Sequence, residues 1–247
     1  MARYKIILAY DGTQFHGSQR QRDVRTVQGV VEETLRKLNW QGTTLLLAGR
    51  TDAGVHAAGQ VAAFDLDWRH PVDNLRSALN ALLPEDVAVS LVEIVAEDFH
   101  PRYHALSRSY QYRIYCQETA NPLLERYTWR VWPAPDMDVL QAAADQLVGV
   151  HDFAAFGSPM HAGGSTIRDL ISAKWHQTDG ILYFEVTANA FLYHMVRRLV
   201  STQIKVVQGL MDMEQLRSHL HHPAQAIQGL APACGLTLVN VHYCENS

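Results

Sequence analysis

The first hundred residues alternate between short apolar runs and stretches whose apolar residues recur at helical spacing. The runs predict strands and the spaced stretches predict helices. In chain order, the predicted elements are a strand over 4–10, a helix behind Thr26, strands over 45–48 and 60–66, a helix opened by Pro71, and a strand over 87–94. This is the element order of the ferredoxin-like split βαβ motif, which predicts an antiparallel sheet with both helices on one face.

The second half of the chain repeats this order with insertions, although the halves share no obvious sequence identity. Its predicted elements are a strand over 110–115, a helix over 136–148, strands over 171–176 and 181–186 joined at Asp179-Gly180, a helix over 191–207 capped by Asn189, a short helix over 214–221 ended by Pro223, and a strand over 235–243. The pattern predicts an α+β fold of two ferredoxin-like βαββαβ halves, 1–105 and 106–247. We expect mainly antiparallel sheets joined into one continuous sheet, with helices on one face and a cleft along the other.

The segment after the apolar run at 45–48 is the strongest candidate for a catalytic loop. It opens at Gly49 and closes at Gly54. The polar residues in and beside it are Arg50, Thr51, Asp52 and His56. Proteins often place catalytic residues on loops that a rigid scaffold positions. An ordinary turn, in which Asp52 bonds to its own backbone, explains the same pattern, and the local pattern alone favours this simpler interpretation.

The composition is that of an ordinary globular protein. Of the 247 residues, 47% are hydrophobic and 19% are charged, and the formal net charge is −4. No apolar run approaches the length needed to cross a bilayer, and the N-terminal residues are typical of a strand rather than a signal peptide. We therefore expect a cytoplasmic protein without a membrane partner.

The arginines are clustered, although the net charge argues against a histone-like nucleic-acid binder. The clusters are Arg20, Arg22 and Arg25; then Arg102, Arg108 and Arg113; then Arg197 and Arg198. They suit either an anionic ligand contacted on one side or a solvated surface, and for any single cluster the surface interpretation is favoured.

The sequence lacks the common motifs for metals and cofactors. It has 13 histidines but no HExxH motif, and its three cysteines are not closely spaced, so neither a zinc site nor a disulfide framework is indicated. The phosphate-binding motifs GxGxxG and GxxxxGK[ST] and the nucleophile motif GxSxG are also missing. We therefore expect no metal and no organic cofactor.

Asp52 remains as a candidate nucleophile. A carboxylate beside a cation such as Arg50 is held in its ionised form, and an ionised carboxylate is a competent nucleophile. Retaining glycosidases use a carboxylate in this way, but they need a second carboxylate as the acid. The loop supplies none.

Two positions of the second half each allow a structural and a functional interpretation. Tyr110 begins a strand rich in tyrosine and arginine, and it is either an ordinary strand aromatic or a ring that stacks on a nucleobase. Arg197 and Arg198 lie on opposite margins of an apolar helix face. They are either snorkelling side chains or, for one of them, a group that reaches into the cleft. Periodicity leaves these alternatives open.

Six short motifs follow one another along most of the chain. They are Tyr10-Asp11-Gly12 with Gly17-x-Gln19-Arg20-Gln21, Gly49-Arg50-Thr51-Asp52-Ala53-Gly54-Val55-His56-Ala57, Asp98-Phe99-His100, Ser109-Tyr110-x-Tyr112, Asn189-Ala190-Phe191-x-x-His194-Met195-Val196-Arg197, and Gly235-Leu236-x-Leu238. Together they resemble the TruA family of tRNA pseudouridine synthases. Ser18 departs from the family, which commonly has Trp there, so one possible RNA-contacting aromatic is missing. Arg198 stands where Asn is often found.

The resemblance implies an enzyme that isomerises uridine to pseudouridine at positions 38, 39 and 40 of the tRNA anticodon stem-loop. It implies that no metal or organic cofactor is needed and that the cleft binds RNA. Asp52 would be the nucleophile, attacking either the uracil ring or the anomeric carbon of the ribose. Tyr110 would stack on the flipped base and take part in the final proton removal, and Arg197 would keep Asp52 charged.

The resemblance also implies contacts with the substrate and with a second subunit. RNA would be contacted by Arg50, Arg20, Gln19 and His56, with Arg50 entering the RNA stack as the target base leaves it. The family is similar in being homodimeric, with one tRNA contacting both subunits. The alternative is a non-catalytic RNA-binding protein on the same scaffold, because arginine clusters and aromatics do not require chemistry.

Overall fold

The first apolar run forms strand β1 (Ala2–Tyr10), whose alternate side chains are buried. Tyr4, Ile6, Leu8 and Tyr10 are each at most 5% exposed, and they share one face because successive side chains of a strand point to opposite faces. The predicted strand is therefore present, and one of its faces lies in the core. The structure is a computed structural model that describes residues 1–161, 163–221 and 226–244.

The chain folds into two units, Met1–Leu106 with the C-terminal residues from Thr237, and Ser107–Leu236. After β1, the first unit contains α1 (Val27–Lys37), β2 (Leu46–Leu47), β3 (His56–Leu66), α2 (Val72–Leu82) and β4 (Val87–Val95). β1 is antiparallel to both β3 and β4, and the short β2 is antiparallel to β3. The predicted element order is thus present. The predicted cap of α1 is confirmed, because Thr26 accepts a hydrogen bond from the Gly29 amide.

The second unit is also built mainly from antiparallel strands. It contains β5 (Ser107–Tyr115), β6 (Trp129–Arg130), α3 (Met137–Asp145), β7 (Gly149–Asp152), β8 (Ile167–Thr178), β9 (Ile181–Ala188), α4 (Met195–Val207) and α5 (Met213–His221). β9 pairs antiparallel with β5 and β8, β8 pairs antiparallel with β7, and β6 is parallel to β5. The predicted hairpin turn between β8 and β9 is present, with φ of 52° at Asp179 and 77° at Gly180.

The last strand, β10 (Leu236–His242), pairs in parallel with β3. Thr237 lies opposite His56 and Leu238 lies opposite Ala57, so this pairing begins at the residue where the polar loop after β2 ends. It groups the last strand with the first unit, whereas the predicted halves placed it in the second. The difference arises because strand pairing is a long-range property that local apolar pattern does not encode.

The start of α4 differs from the sequence prediction. The helix begins at Met195 and not near Phe191, and its preceding residue, His194, has a left-handed backbone with φ of 65°. Asn189 does not cap it, because the Asn189 side-chain oxygen accepts hydrogen bonds from the Asp169 and Ala190 amides. This polar residue therefore ties the end of β9 to β8.

Strands β6 and β7 were not predicted. Both are short, and β7 forms the outer edge of its sheet with Val150 67% exposed. Such a strand is held by backbone pairing and not by burial of an apolar face, so it leaves no alternation in the sequence.

The α+β class with mostly antiparallel strands is confirmed. Among the described residues, no helix is long and apolar enough to span a membrane. The described residues likewise contain no group of three or more His, Cys, Asp or Glu that is placed to hold a metal ion. The predicted helix stop at Pro223 lies outside the described residues.

Candidate active site

The polar loop between β2 and β3 is fixed at its first residue by a buried amide. Gln60 lies on β3 and is completely buried. Its Nε2 donates to the Gly49 carbonyl at 2.9 Å, and its Oε1 accepts from the Gly49 amide at 3.3 Å. One side chain thus satisfies both backbone groups at the point where the chain leaves the strand.

Thr51, the residue before Asp52, is held through its backbone and its side chain. Its amide donates to Ser18 Oγ at 2.8 Å, and its carbonyl accepts from the Ser18 amide at 3.0 Å. Its hydroxyl hydrogen-bonds with the Tyr10 hydroxyl at 2.9 Å. Burial raises the pKa of Tyr10, so this phenol stays protonated at neutral pH. The backbone entering Asp52 therefore has few alternative conformations.

The far side of the loop is also anchored to residues that follow β1. The Gly54 amide donates to the Phe15 carbonyl at 3.2 Å, and the Val55 amide donates to the Asp52 carbonyl at 3.2 Å. The Gly12 amide donates to His56 Nδ1 at 2.9 Å. The same nitrogen lies 3.2 Å from the Asp11 carboxylate.

Two glycines allow the segment after β1 to lie directly against the loop. A Cβ on Gly12 would lie 2.1 Å from the Val55 carbonyl oxygen, and a Cβ on Gly17 would lie 2.8 Å from the Thr51 carbonyl oxygen. Gly17 also has φ of 92°, a conformation that L side chains rarely adopt. The glycines of this N-terminal motif are therefore needed for the close approach of two backbones.

The predicted site residues of the first unit differ in their surroundings. Asp52 is partly buried, whereas Arg50 and Gln19 are exposed. His56 is buried and anchors the Gly12 amide, which gives it a structural contact in addition to its predicted contact with RNA. The structure therefore brings the loop and the N-terminal motif together around Asp52.

Arg20 is 47% exposed and forms an ion pair with Glu32, which is completely buried. Glu32 also accepts hydrogen bonds from the Leu45 amide at 2.9 Å and from Gln28 Nε2 at 3.0 Å. A buried carboxylate needs such partners because burying it alone is costly. Arg20 thus stabilises a buried carboxylate, and its predicted contact with RNA stays a prediction.

Tyr110 and Arg197 lie in the second unit. Tyr110 is on β5, is 8% exposed, and packs edge-to-face against Phe191 with ring centroids 5.1 Å apart. Arg197 is in the first turn of α4, partly buried, and its Nε donates to the Ala231 carbonyl at 2.7 Å. Its neighbour Arg198 donates to the Phe156 carbonyl at 3.2 Å. Each arginine is thus oriented by a backbone carbonyl of its own unit.

Sequence reasoning missed three residues that position the loop: Tyr10, Ser18 and Gln60. Ser18 is completely buried against Thr51, and the effect of a serine where the family commonly has Trp stays a prediction. The sequence signal for Gln60 is a single amide inside an apolar strand, since an amide buried there needs hydrogen-bond partners.

Comparison with known proteins assigns a family to this arrangement. A family model described as tRNA pseudouridine synthase matches residues 6–104 and 143–244. The tRNA pseudouridine synthase A of Streptococcus equi subsp. equi is 40% identical over 250 residues, covering 99% of this chain and 100% of that protein. The protein of the same name from Chloroflexus aurantiacus is 41% identical over 249 residues, covering 98% and 89%. The one from Acetivibrio thermocellus is 36% identical over 244 residues, covering 98% and 100%.

Proposed function

This chain belongs to the tRNA pseudouridine synthase family, and we propose that it isomerises uridine to pseudouridine at positions 38, 39 and 40 of the tRNA anticodon stem-loop, with Asp52 as the nucleophile. The observation that carries the nucleophile assignment is the anchoring of the loop on both sides of Asp52. Buried hydrogen bonds hold Gly49, Thr51 and Gly54, while the carboxylate between them is partly exposed. A preorganised carboxylate of this kind supplies the orientation that covalent catalysis requires.

The reaction needs only one carboxylate. The bond between N1 of uracil and C1′ of the ribose breaks, the base turns while bound, and a bond forms between C5 and C1′. The proton lost from C5 is balanced by one gained at N1, so the product is an isomer and no oxidant or reductant is consumed. Asp52 attacks either the uracil ring or C1′. Because the displaced base is itself recaptured, the second carboxylate of a glycosidase is unnecessary.

Tyr110 and Arg197 are the further catalytic residues of the proposal. Tyr110 stacks on the flipped base and assists the removal of the C5 proton, a role supported by its rigid position on β5 against Phe191. Arg197 supplies the positive charge that keeps Asp52 ionised. The Ala231 carbonyl fixes the direction of its guanidinium.

The remaining proposed contacts concern RNA and a second subunit. Arg50 is exposed on the loop and fills the gap that the flipped base leaves in the RNA stack. Gln19, Arg20 and His56 contribute to binding of the stem-loop. We also propose that the protein acts as a homodimer in the cytoplasm. Sedimentation velocity of the purified protein tests the dimer, and a monomer at micromolar concentration contradicts it.

Release of tritium from tRNA transcribed with [5-³H]uridine tests the activity, because the label leaves when C5 bonds to C1′. We expect release by the wild type and none by Asp52→Asn, which binds the same tRNA. Asp67→Asn is the matched control, since Asp67 is an exposed carboxylate of the same unit that pairs with Arg69.

Replacing the uridines at positions 38, 39 and 40 by cytidine should remove the signal, which tests the site of modification. Tritium release by Asp52→Asn overturns the nucleophile assignment. Release that survives the cytidine substitutions overturns the proposed positions. Binding of tRNA without release by the wild type indicates the non-catalytic alternative.

A further inference from the structure

We propose that Ser18 is a positioning residue for Asp52, an inference that rests on the proposed nucleophile. Ser18 is completely buried, and it binds Thr51 through two opposed hydrogen bonds. Its hydroxyl accepts from the Thr51 amide at 2.8 Å, and its own amide donates to the Thr51 carbonyl at 3.0 Å. The pair fixes both peptide groups of Thr51, including the one whose nitrogen belongs to Asp52.

The hydroxyl of Ser18 is the group whose contribution a substitution can test. The Thr51 amide is buried and has the Ser18 hydroxyl as its acceptor. A buried amide that loses its acceptor is destabilised unless the backbone moves to find another. The Thr51 amide lies in the peptide plane between Arg50 and Thr51, one residue before Asp52, so a movement of this plane reaches the carboxylate through the Thr51 backbone.

Ser18 is itself fixed by the first turn of α1. Its carbonyl accepts from the Gln28 amide at 2.9 Å. The Gln28 side chain in turn donates to the Leu45 carbonyl at 3.1 Å and to Glu32 at 3.0 Å. The amides at a helix N-terminus have no partner within the helix, and here one of them holds the residue that holds the loop. Hydrogen bonds thus connect α1 to Ser18 and Ser18 to Thr51, and Thr51 is joined to Asp52 by the peptide bond.

This arrangement separates positioning from substrate binding. A completely buried side chain does not touch RNA, so its removal should leave the KM for tRNA unchanged. Small displacements of a reacting group reduce the rate of the chemical step, by up to about 100-fold for a shift of roughly 1 Å. We therefore expect Ser18→Ala to lower kcat by roughly 10-fold to 100-fold.

The experiment measures kcat, KM and thermal stability of Ser18→Ala, Ser18→Cys and Thr26→Ala with tritium-labelled tRNA. Thr26 is the matched control, because it is 2% exposed and its hydroxyl accepts one backbone amide in the same unit, at the N-cap of α1. Thr26→Ala should lower the melting temperature and lower kcat much less than Ser18→Ala, because it leaves the Ser18 hydroxyl in place. Ser18→Cys retains a weak acceptor and should give an intermediate kcat.

Amide hydrogen exchange provides a second measurement that does not depend on activity. The Thr51 amide should exchange faster in Ser18→Ala than in the wild type, whereas its exchange should change much less in Thr26→Ala, which keeps the Ser18 acceptor. If Ser18→Ala is too unstable for kinetics, exchange of the Thr51 amide in Ser18→Cys provides the same test.

Two outcomes overturn the proposal. One is an unchanged kcat in Ser18→Ala, and the other is a loss of kcat in Thr26→Ala as large as in Ser18→Ala. The Asp52→Asn variant distinguishes this failure from failure of the proposed function. If Asp52→Asn is inactive while Ser18→Ala is fully active, only the positioning role is wrong. If Asp52→Asn is active, the nucleophile assignment itself is wrong.

Discussion

The loop that carries Asp52 and the helix turn that carries Arg197 are built in different ways. The loop has no regular secondary structure, and its backbone is bound by Ser18 and Gln60 from outside the loop. The first turn of α4 is regular, and its direction is set by the buried side chains Met195, Val196, Leu199 and Val200. Hydrophobic packing positions the helix turn that carries the arginine, whereas specific hydrogen bonds position the loop that carries the carboxylate.

Because of this difference, the two regions should tolerate different substitutions. A helix face tolerates many apolar substitutions that conserve volume. A loop held by single side-chain-to-backbone bonds has no such tolerance, because each lost partner leaves a buried polar group unsatisfied. Loss of a side chain that binds the Asp52 loop should therefore displace the loop backbone. Replacement of Arg197 should remove its charge and leave the helix in place.

The largest expected effect is that of Gly12→Ala. Its Cβ would lie 2.1 Å from the Val55 carbonyl oxygen, so two backbone segments must separate. We expect a loss of about 3 kcal/mol or more of unfolding free energy and loss of tritium release. Chemical denaturation and the tRNA assay measure the two effects.

Gly49→Ala is the control for this prediction. A Cβ at Gly49 meets nothing within 4 Å and the residue has no positive φ, although it opens the same loop. Its unfolding free energy should match that of the wild type. Equal losses in the two variants would contradict the view that the close approach at Gly12 is what holds the loop.

Arg197→Met, a substitution in the second unit, should have the next largest effect. Removing one preorganised charge from an active site typically lowers kcat on the order of 10²-fold. Because a cation favours an ionised carboxylate, its loss should also move the onset of activity to higher pH. Thermal stability should change little, since the methionine retains the apolar stem of the arginine.

Arg198→Met provides the comparison for that measurement. Arg198 is the next residue of the same helix and also donates to a backbone carbonyl, that of Phe156. It should keep the pH profile of the wild type. An unchanged profile in Arg197→Met, or the same shift in both variants, would remove the support for a charge role specific to Arg197.

These contrasts also explain how much was predictable from sequence. The Thr26 cap and the turn at Asp179-Gly180 were predicted correctly, because capping and turn formation are local. Asn189 was assigned wrongly as a cap, because its oxygen binds a strand 20 residues away in sequence. The contact of Ser18 was not predicted for a similar reason, since its partner Thr51 is 33 residues away. The spacing of apolar residues thus predicts the regular elements, but it does not predict the polar contacts that hold the loop.

The smallest expected effect is that of Gln60→Met, which keeps the volume of the side chain and removes the amide that binds Gly49. The Gly49 amide and carbonyl both lose a partner, so the unfolding free energy should fall by ~2 kcal/mol and kcat should fall by roughly 10-fold. Asn80→Leu is the matched control, because Asn80 also binds both backbone groups of one residue, Val89, in the same unit. Asn80→Leu should lower stability without lowering kcat. If both variants lose kcat equally, activity follows the stability of the first unit as a whole, and the loop has no special dependence on its buried hydrogen bonds.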